Sequence, residues 1–154
     1  MNYAVVLAPN FSLQALRRAE PALRGKAVAL AHGDGRKACL TEVSREATAV
    51  APGLPVTLAM ARCPGLIIRT RDPQAETEAH RLLLAAAFTL SPRVESTADG
   101  CCTVDLQGAN RRHTETRMRA CVAELNDAGL GVRIGACDTP LLATYAAQLA
   151  RSEE

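Results

Sequence analysis

The side chains of this 154-residue sequence best suited to nucleophilic, redox or soft-metal chemistry are six cysteines and three histidines: Cys39, Cys63, Cys101, Cys102, Cys121 and Cys137, with His32, His80 and His113. A zinc site or a dithiol redox centre needs cysteines two to four residues apart, and no C-x-x-C pair occurs. Cys101 and Cys102 are adjacent, but neighbours on a strand point to opposite faces, so a strand would hold the two thiols apart. Cys101 and His113 are the residue types of a nucleophile and its base, yet nothing around either marks it for that role. A buried Cys behaves as a small hydrophobe, and the six read as reduced core residues. The other candidate chemistry is anion recognition. Arg17/Arg18, Arg36/Lys37, Arg69/Arg71 and Arg111/Arg112/Arg117/Arg119 form local groups that could grip phosphates bidentately. Acidic residues are interspersed throughout, and a formal charge of +2 points to no particular partner.

These residues need a scaffold, and the composition supplies one: 48% hydrophobic and 22% charged residues suit a single soluble globular domain. Aromatics make up only 3%, so the core must be built from Ala, Leu and Val. Tyr3 to Ala8 reads as a strand, and Asn10 as the cap of a helix that Pro21 ends. Ala27 to Ala31 and Ala38 to Val43 are strand candidates around the His32-Gly33-Asp34-Gly35 turn, followed by a weakly helical stretch, Ser44 to Val50. Pro55 opens a helix stopped by Pro64-Gly65, and Leu66 to Arg69 is a further strand. Asp72 caps and Pro73 opens the longest helix, closed by Ser91-Pro92. Asp99-Gly100 predicts a type I′ hairpin between Val94 to Ala98 and Cys101 to Leu106. A helix through Met118 and Leu125 ends at Gly129; a strand over 132–136 and a helix from Pro140 complete an α/β or α+β order of elements.

The longest apolar run, Leu82 to Phe88, is far short of the ~20 residues of a membrane span, and no basic n-region precedes Ala4 to Ala8. A cytoplasmic protein with no membrane association is expected.

Four stretches, in order, resemble landmarks of the Y-family translesion DNA polymerases. Glu20-Pro-Ala-Leu-Arg-Gly-Lys-Ala-Val-Ala-Leu30 resembles N-P-E-L-R-G-K-P-V-A-V; Ala59-Met-Ala-Arg-Cys-Pro-Gly-Leu66 resembles A-L-R-L-C-P-D-L. Pro92 to Gly108 resembles the hairpin ending in L-D-L-x-G, and Ile134-Gly135 through Leu142-Ala143 resembles S-I-G-I-A-x-N-K-L-L-A-K. The resemblance implies a ferredoxin-like polymerase palm with a mixed or antiparallel sheet, formed by residues 1–31 and 71–154. It also implies a small fingers insertion at 32–70, with thumb and little finger absent.

In that family two metal ions ~4 Å apart, held by carboxylates, bridge the attacking and leaving oxygens. The register set by Pro21 and Leu23-Arg24-Gly25-Lys26 places Leu7 and Pro9 at the first two carboxylate positions. The register set by Asp105-Leu106-x-Gly108 places Gly100 and Cys101 at the other two. Neither alkyl groups nor a neutral thiol suit Mg²⁺. The family's triphosphate-holding Tyr, Arg and Lys fall at Arg45, Thr48 and Pro140, and its sugar-screening residue at Ser12, beside Phe11. No metal and no cofactor are therefore expected.

Asn10-Phe-Ser-Leu-Gln-Ala-Leu16, Arg69-Thr-Arg and Ser91-Pro-Arg-Val-Glu-Ser-Thr97 are similar to the inactive, ImuB-like group. That likeness implies a non-catalytic part of a bacterial damage-induced mutagenesis assembly, in the cytoplasm at the nucleoid. Its partners would be an ImuA-like protein, an error-prone replicative-type polymerase and the sliding clamp, engaged mostly through regions outside this stretch. Weak, sequence-independent DNA binding through Arg36, Lys37 and Arg45 is expected. The rivals are an altered-site nucleotidyltransferase, separable by primer extension, and an unrelated small α/β enzyme, separable by strand order.

Overall fold

The computed structural model describes residues 1–150, which divide into two compact units: Met1–Phe11 with the described residues from Glu76 onward, and Ser12–Ala75. The first unit holds β1 (Tyr3–Leu7), α3 (Pro73–Phe88, from Glu76), β5 (Val94–Ala98), β6 (Cys101–Asp105), α4 (Arg111–Asp127), β7 (Arg133–Cys137) and α5 (Pro140–Leu149). Its sheet runs β5-β6-β1-β7 with every neighbouring pair antiparallel. A β-α-β-β-α-β order with that strand arrangement is the ferredoxin-like plan.

Period-two alternation sorts the side chains of β1 between the two faces. Val5, with Tyr3 and Leu7, joins Cys101, Cys137 and α5 residues Ala143 and Ala147 in one cluster. Ala4, Val6, Cys102 and Val104 are fully buried on the other face, where Cys102 lies within electrostatic reach of Cys121 on α4. Burying a valine such as Val5 or Val6 contributes about 1.5–3 kcal/mol. α5 sits close on its face because β7 has no side chain at Gly135: a Cβ there would stand 2.2 Å from Ala143 O and Ala147 N.

The second unit holds α1 (Phe11–Ala19, from Ser12), β2 (Val28–His32), β3 (Cys39–Val43), α2 (Val56–Arg62) and β4 (Ile67–Arg69). Its sheet is β3-β2-β4, antiparallel between β2 and β3 and parallel between β2 and β4. Val28 and Leu30 pack with Leu13, Leu16 and Ile67 on one face, while Ala29 packs with Leu40, Ala59 and Leu66 on the other. Glu42 on β3 accepts from Leu13 N at 2.8 Å, a carboxylate at the positive end of α1.

Expectations for two segments before β4 differ from the structure. Ser44 to Val50 forms successive turns rather than helix, because the Ser44 hydroxyl is taken by Val28 N at 3.0 Å and Lys26 O at 3.3 Å, fastening the chain back to β2. Asn10 takes a left-handed φ of 48° instead of the extended backbone usual for a helix cap. The strand Val28–His32 pairs with β3 and β4 within the unit that runs from Ser12 to Ala75.

The division also separates charge. The Ser12–Ala75 unit carries ten of the eighteen Lys and Arg and five of the sixteen Asp and Glu, a net of +5, leaving −3 for the rest of the sequence. Among the described residues no helix is long and apolar enough to cross a membrane.

Candidate functional site

The positions singled out on β1 and on the hairpin meet at one end of the first unit's sheet. Leu7 is the cross-strand partner of Cys101, and Ala8 N donates to Gly100 O at 2.8 Å. Pro9 follows two residues after the end of the strand and is half-buried. The hairpin is where the sequence puts it, but its turn is not type I′: Gly100 has φ 70° and Asp99 is not among the positive-φ residues. The pairing of β5 and β6 also shifts between Ser96 and Ala98, an irregularity that takes up the difference.

Phe11 fills the space above the turn. A Cβ on Gly100 would lie 2.4 Å from Phe11 Cγ and 2.6 Å from its Cβ and Cδ2, so the turn needs glycine for both its φ and its clearance. His80 on α3 meets the Phe11 ring edge-to-face, with ring centres 6.2 Å apart and an interplanar angle of 81°. Its Nδ1 accepts from Gly100 N at 3.2 Å, and its Nε2 lies 2.7 Å from Ser96 Oγ. With Nδ1 accepting, the neutral ring carries its proton on Nε2 and donates to Ser96. His80 therefore braces the turn and, in that tautomer, does not deprotonate Ser96. The sequence names His80 only as a possible soft-metal ligand and gives no sign of this bracing role, because one histidine on a helix carries no local signal.

Apart from the exposed Asp99 in the turn, this end of the sheet is soft and apolar. Cys101 is buried, and burial pushes its thiol pKa up. On the opposite face burial, reinforced by neighbouring Cys101 and Cys121, pushes Cys102 up to about 12. Burial, with Glu124 nearby, pushes Cys121 up to about 11. Such thiols are protonated at neutral pH and are weak nucleophiles. Mg²⁺ requires hard oxygen ligands, and the side chains of Leu7, Pro9 and Cys101 supply none. Among the described residues no group of three or more His, Cys, Asp or Glu could hold a metal ion.

The remaining candidates lie on other elements. Ser12 is buried at the start of α1; Arg45 and Thr48 are exposed in the turns after β3; Arg36 and Lys37 lie in an exposed 3-10 turn between β2 and β3. Pro140 is the exposed first residue of α5, with Thr139 as its cap. His113 is exposed in the first turn of α4, while Cys101 is buried in the cluster with α5.

A model of the impB/mucB/samB family matches residues 6–148, nearly the whole sequence. The chain belongs to the impB/mucB/samB family. It is a Y-family polymerase-like domain with a palm-like fold. Among solved structures it is similar to a post-insertion binary complex of Dbh DNA polymerase, with a TM-score of 0.86 and 20% identity over 98% of this chain. DinB from Sulfolobus solfataricus superposes with a TM-score of 0.82 at 19% identity, as does a Dbh-Dpo4-Dbh Y-family polymerase chimera. The chain spans 46% of the length of each of these structures. No curated protein matches the sequence.

Proposed function

We infer that this domain is a non-catalytic, Y-family polymerase-like component of a bacterial translesion synthesis assembly. In this reading the ferredoxin-like unit is the palm, the Ser12–Ala75 unit is the fingers, and thumb and little finger lie outside these residues. One observation carries it: where β1 meets the β5–β6 hairpin, the side chains are Leu7 and Cys101 around a bare Gly100, with Phe11 over the turn. The residues do not fit a pair of Mg²⁺ ions, because a two-ion centre needs several carboxylate oxygens converging on one point. The triphosphate grip is likewise replaced, at Arg45, Thr48 and Pro140. The domain then acts as a scaffold for an ImuA-like protein, an error-prone replicative-type polymerase and the sliding clamp, in the cytoplasm at the nucleoid. Its own DNA contacts are weak and run through Arg36, Lys37 and Arg45 of the basic unit, whose net charge of +5 favours phosphate.

The test is Mn²⁺ titration followed by electron paramagnetic resonance, with and without a deoxynucleoside triphosphate, beside a primer-extension assay with Mg²⁺ or Mn²⁺. The free-ion signal should persist in the first assay, and no primer should lengthen in the second. Two protein-bound ions, or one added nucleotide that depends on the domain, would refute the reading.

A further inference from the structure

α4 is charged against its own dipole. Its first nine residues, Arg111 to Arg119, hold four arginines and His113 against one acid, Glu115; its last turns hold Glu124 and Asp127. The first turn contains no acid and the last no base. Cations at the positive end of a helix and anions at the negative end are each unfavourable, the reverse of the usual stabilising pattern. The surrounding unit is net acidic, so this is not a generally basic surface.

Two of these arginines form a site of their own. Arg112 and Arg119 are exposed and seven residues apart, which puts them on one side of the helix and about 10 Å apart along its axis. Arg111 is held by Glu115 at 3.3 Å, but among the described residues neither Arg112 nor Arg119 has a carboxylate partner. The helix terminus is not the feature, since the Asn110 side chain already accepts from His113 N.

We propose that Arg112 and Arg119 on α4 form a phosphate-backbone contact for nucleic acid, separate from the basic Ser12–Ala75 unit. A protein partner is the poorer fit. Protein interfaces are built around a buried apolar or aromatic anchor, and none of the exposed large hydrophobic side chains lies on α4. Between the two arginines the exposed side is Thr116 and Glu115, whose carboxylate Arg111 holds at 3.3 Å, and the two guanidinium groups can take phosphates bidentately. The contact rests on the inferred association with DNA and adds a place for it on the other unit.

The experiment measures binding of a fluorescein-labelled 40-nucleotide single strand by anisotropy across a KCl series. It compares the wild type with R112Q/R119Q and with R36Q/K37Q. Losing two phosphate contacts should flatten the slope of log K against log[KCl] by about 1.4. The melting temperature of R112Q/R119Q should not fall below that of the wild type, because Arg112 leaves the positive end of the helix and both side chains are exposed. A slope unchanged by R112Q/R119Q overturns the proposal, as does absence of wild-type binding. Loss of poly-glutamate binding with DNA binding intact also overturns it and assigns the face to an acidic protein. The Mn²⁺ assay is independent of all these outcomes, so the non-catalytic reading can fail or survive separately.

Discussion

Replacing Gly100 by alanine puts a methyl carbon where Phe11 already stands, 2.4 Å from its Cγ. Two costs add. At φ 70° an L residue pays roughly 1–2 kcal/mol for left-handed backbone, and forcing a methyl into filled space adds roughly 1–3 kcal/mol. The stiffer unfolded chain returns about 0.4–1 kcal/mol. The net loss is about 1–5 kcal/mol, or roughly 2–20 °C in melting temperature for a domain of this size. Urea unfolding followed by circular dichroism of Gly100→Ala, Phe11→Ala and the double variant measures it. Phe11→Ala alone should cost about 3–5 kcal/mol. In that background the clash is gone, so Gly100→Ala should cost only about 1 kcal/mol, a coupling of about 1–3 kcal/mol. Gly108 is the control: it lies in the same unit at φ 83° with no atom within 4 Å of the Cβ position, so alanine there should cost only the backbone share. Equal losses for Gly100→Ala with and without Phe11 would refute the steric account. The same crowding stands in the way of an acidic side chain at position 100, because its Cβ would meet the same ring.

The thiols should divide by burial. Cys102 and Cys121, pushed up to about 12 and about 11, should resist iodoacetamide at pH 8 until the protein is unfolded. The less buried Cys39, Cys63 and Cys137 should be modified first in mass-mapped alkylation; early labelling of Cys102 would contradict the packing. Glu46 gives a pH dependence. Burial works against its charge, but hydrogen bonds from Arg17, its own backbone and Ser44, with the charge of Arg17 2.8 Å away, outweigh that and hold its pKa below the usual carboxylate value. A depressed folded pKa gives stability that is present above the unfolded value of about 4.3 and lost as pH falls through the folded one. Glu46→Gln should therefore cost about 1 kcal/mol at pH 7 and nothing measurable near pH 2 by urea titration; a loss independent of pH would exclude the ion pair as its cause.

Much of this fold is legible where one residue dictates local backbone. Asp72 caps α3 as its position before Pro73 requires, accepting from Gln74 N at 3.0 Å and Ala75 N at 3.1 Å. Gly129, at φ 79°, ends α4 where expected. What the local pattern does not encode is partnership. Nothing within Val28–His32 says that it pairs with β3 and β4 rather than with the sheet that holds β1. Ser44 to Val50 has helix-compatible residues, and a distant hydrogen bond to Val28 overrides them. At the candidate site the residue types at Leu7, Pro9 and Cys101, none of which carries a carboxylate, are plain in the sequence. The Phe11–Gly100–His80 packing is not, since it joins three places far apart in the chain.

The strand pairing also sets a timetable for synthesis. β1 is an interior strand whose neighbours are synthesised long after it: Leu7 pairs with Cys101, and Tyr3 with Cys137. At about 5–20 residues per second, the ribosome needs roughly 7–27 s between Tyr3 and Cys137. For that interval Val5 and Val6 sit on a sticky nascent segment with both edges open, and a chaperone that shields such segments should raise the yield of folded chain.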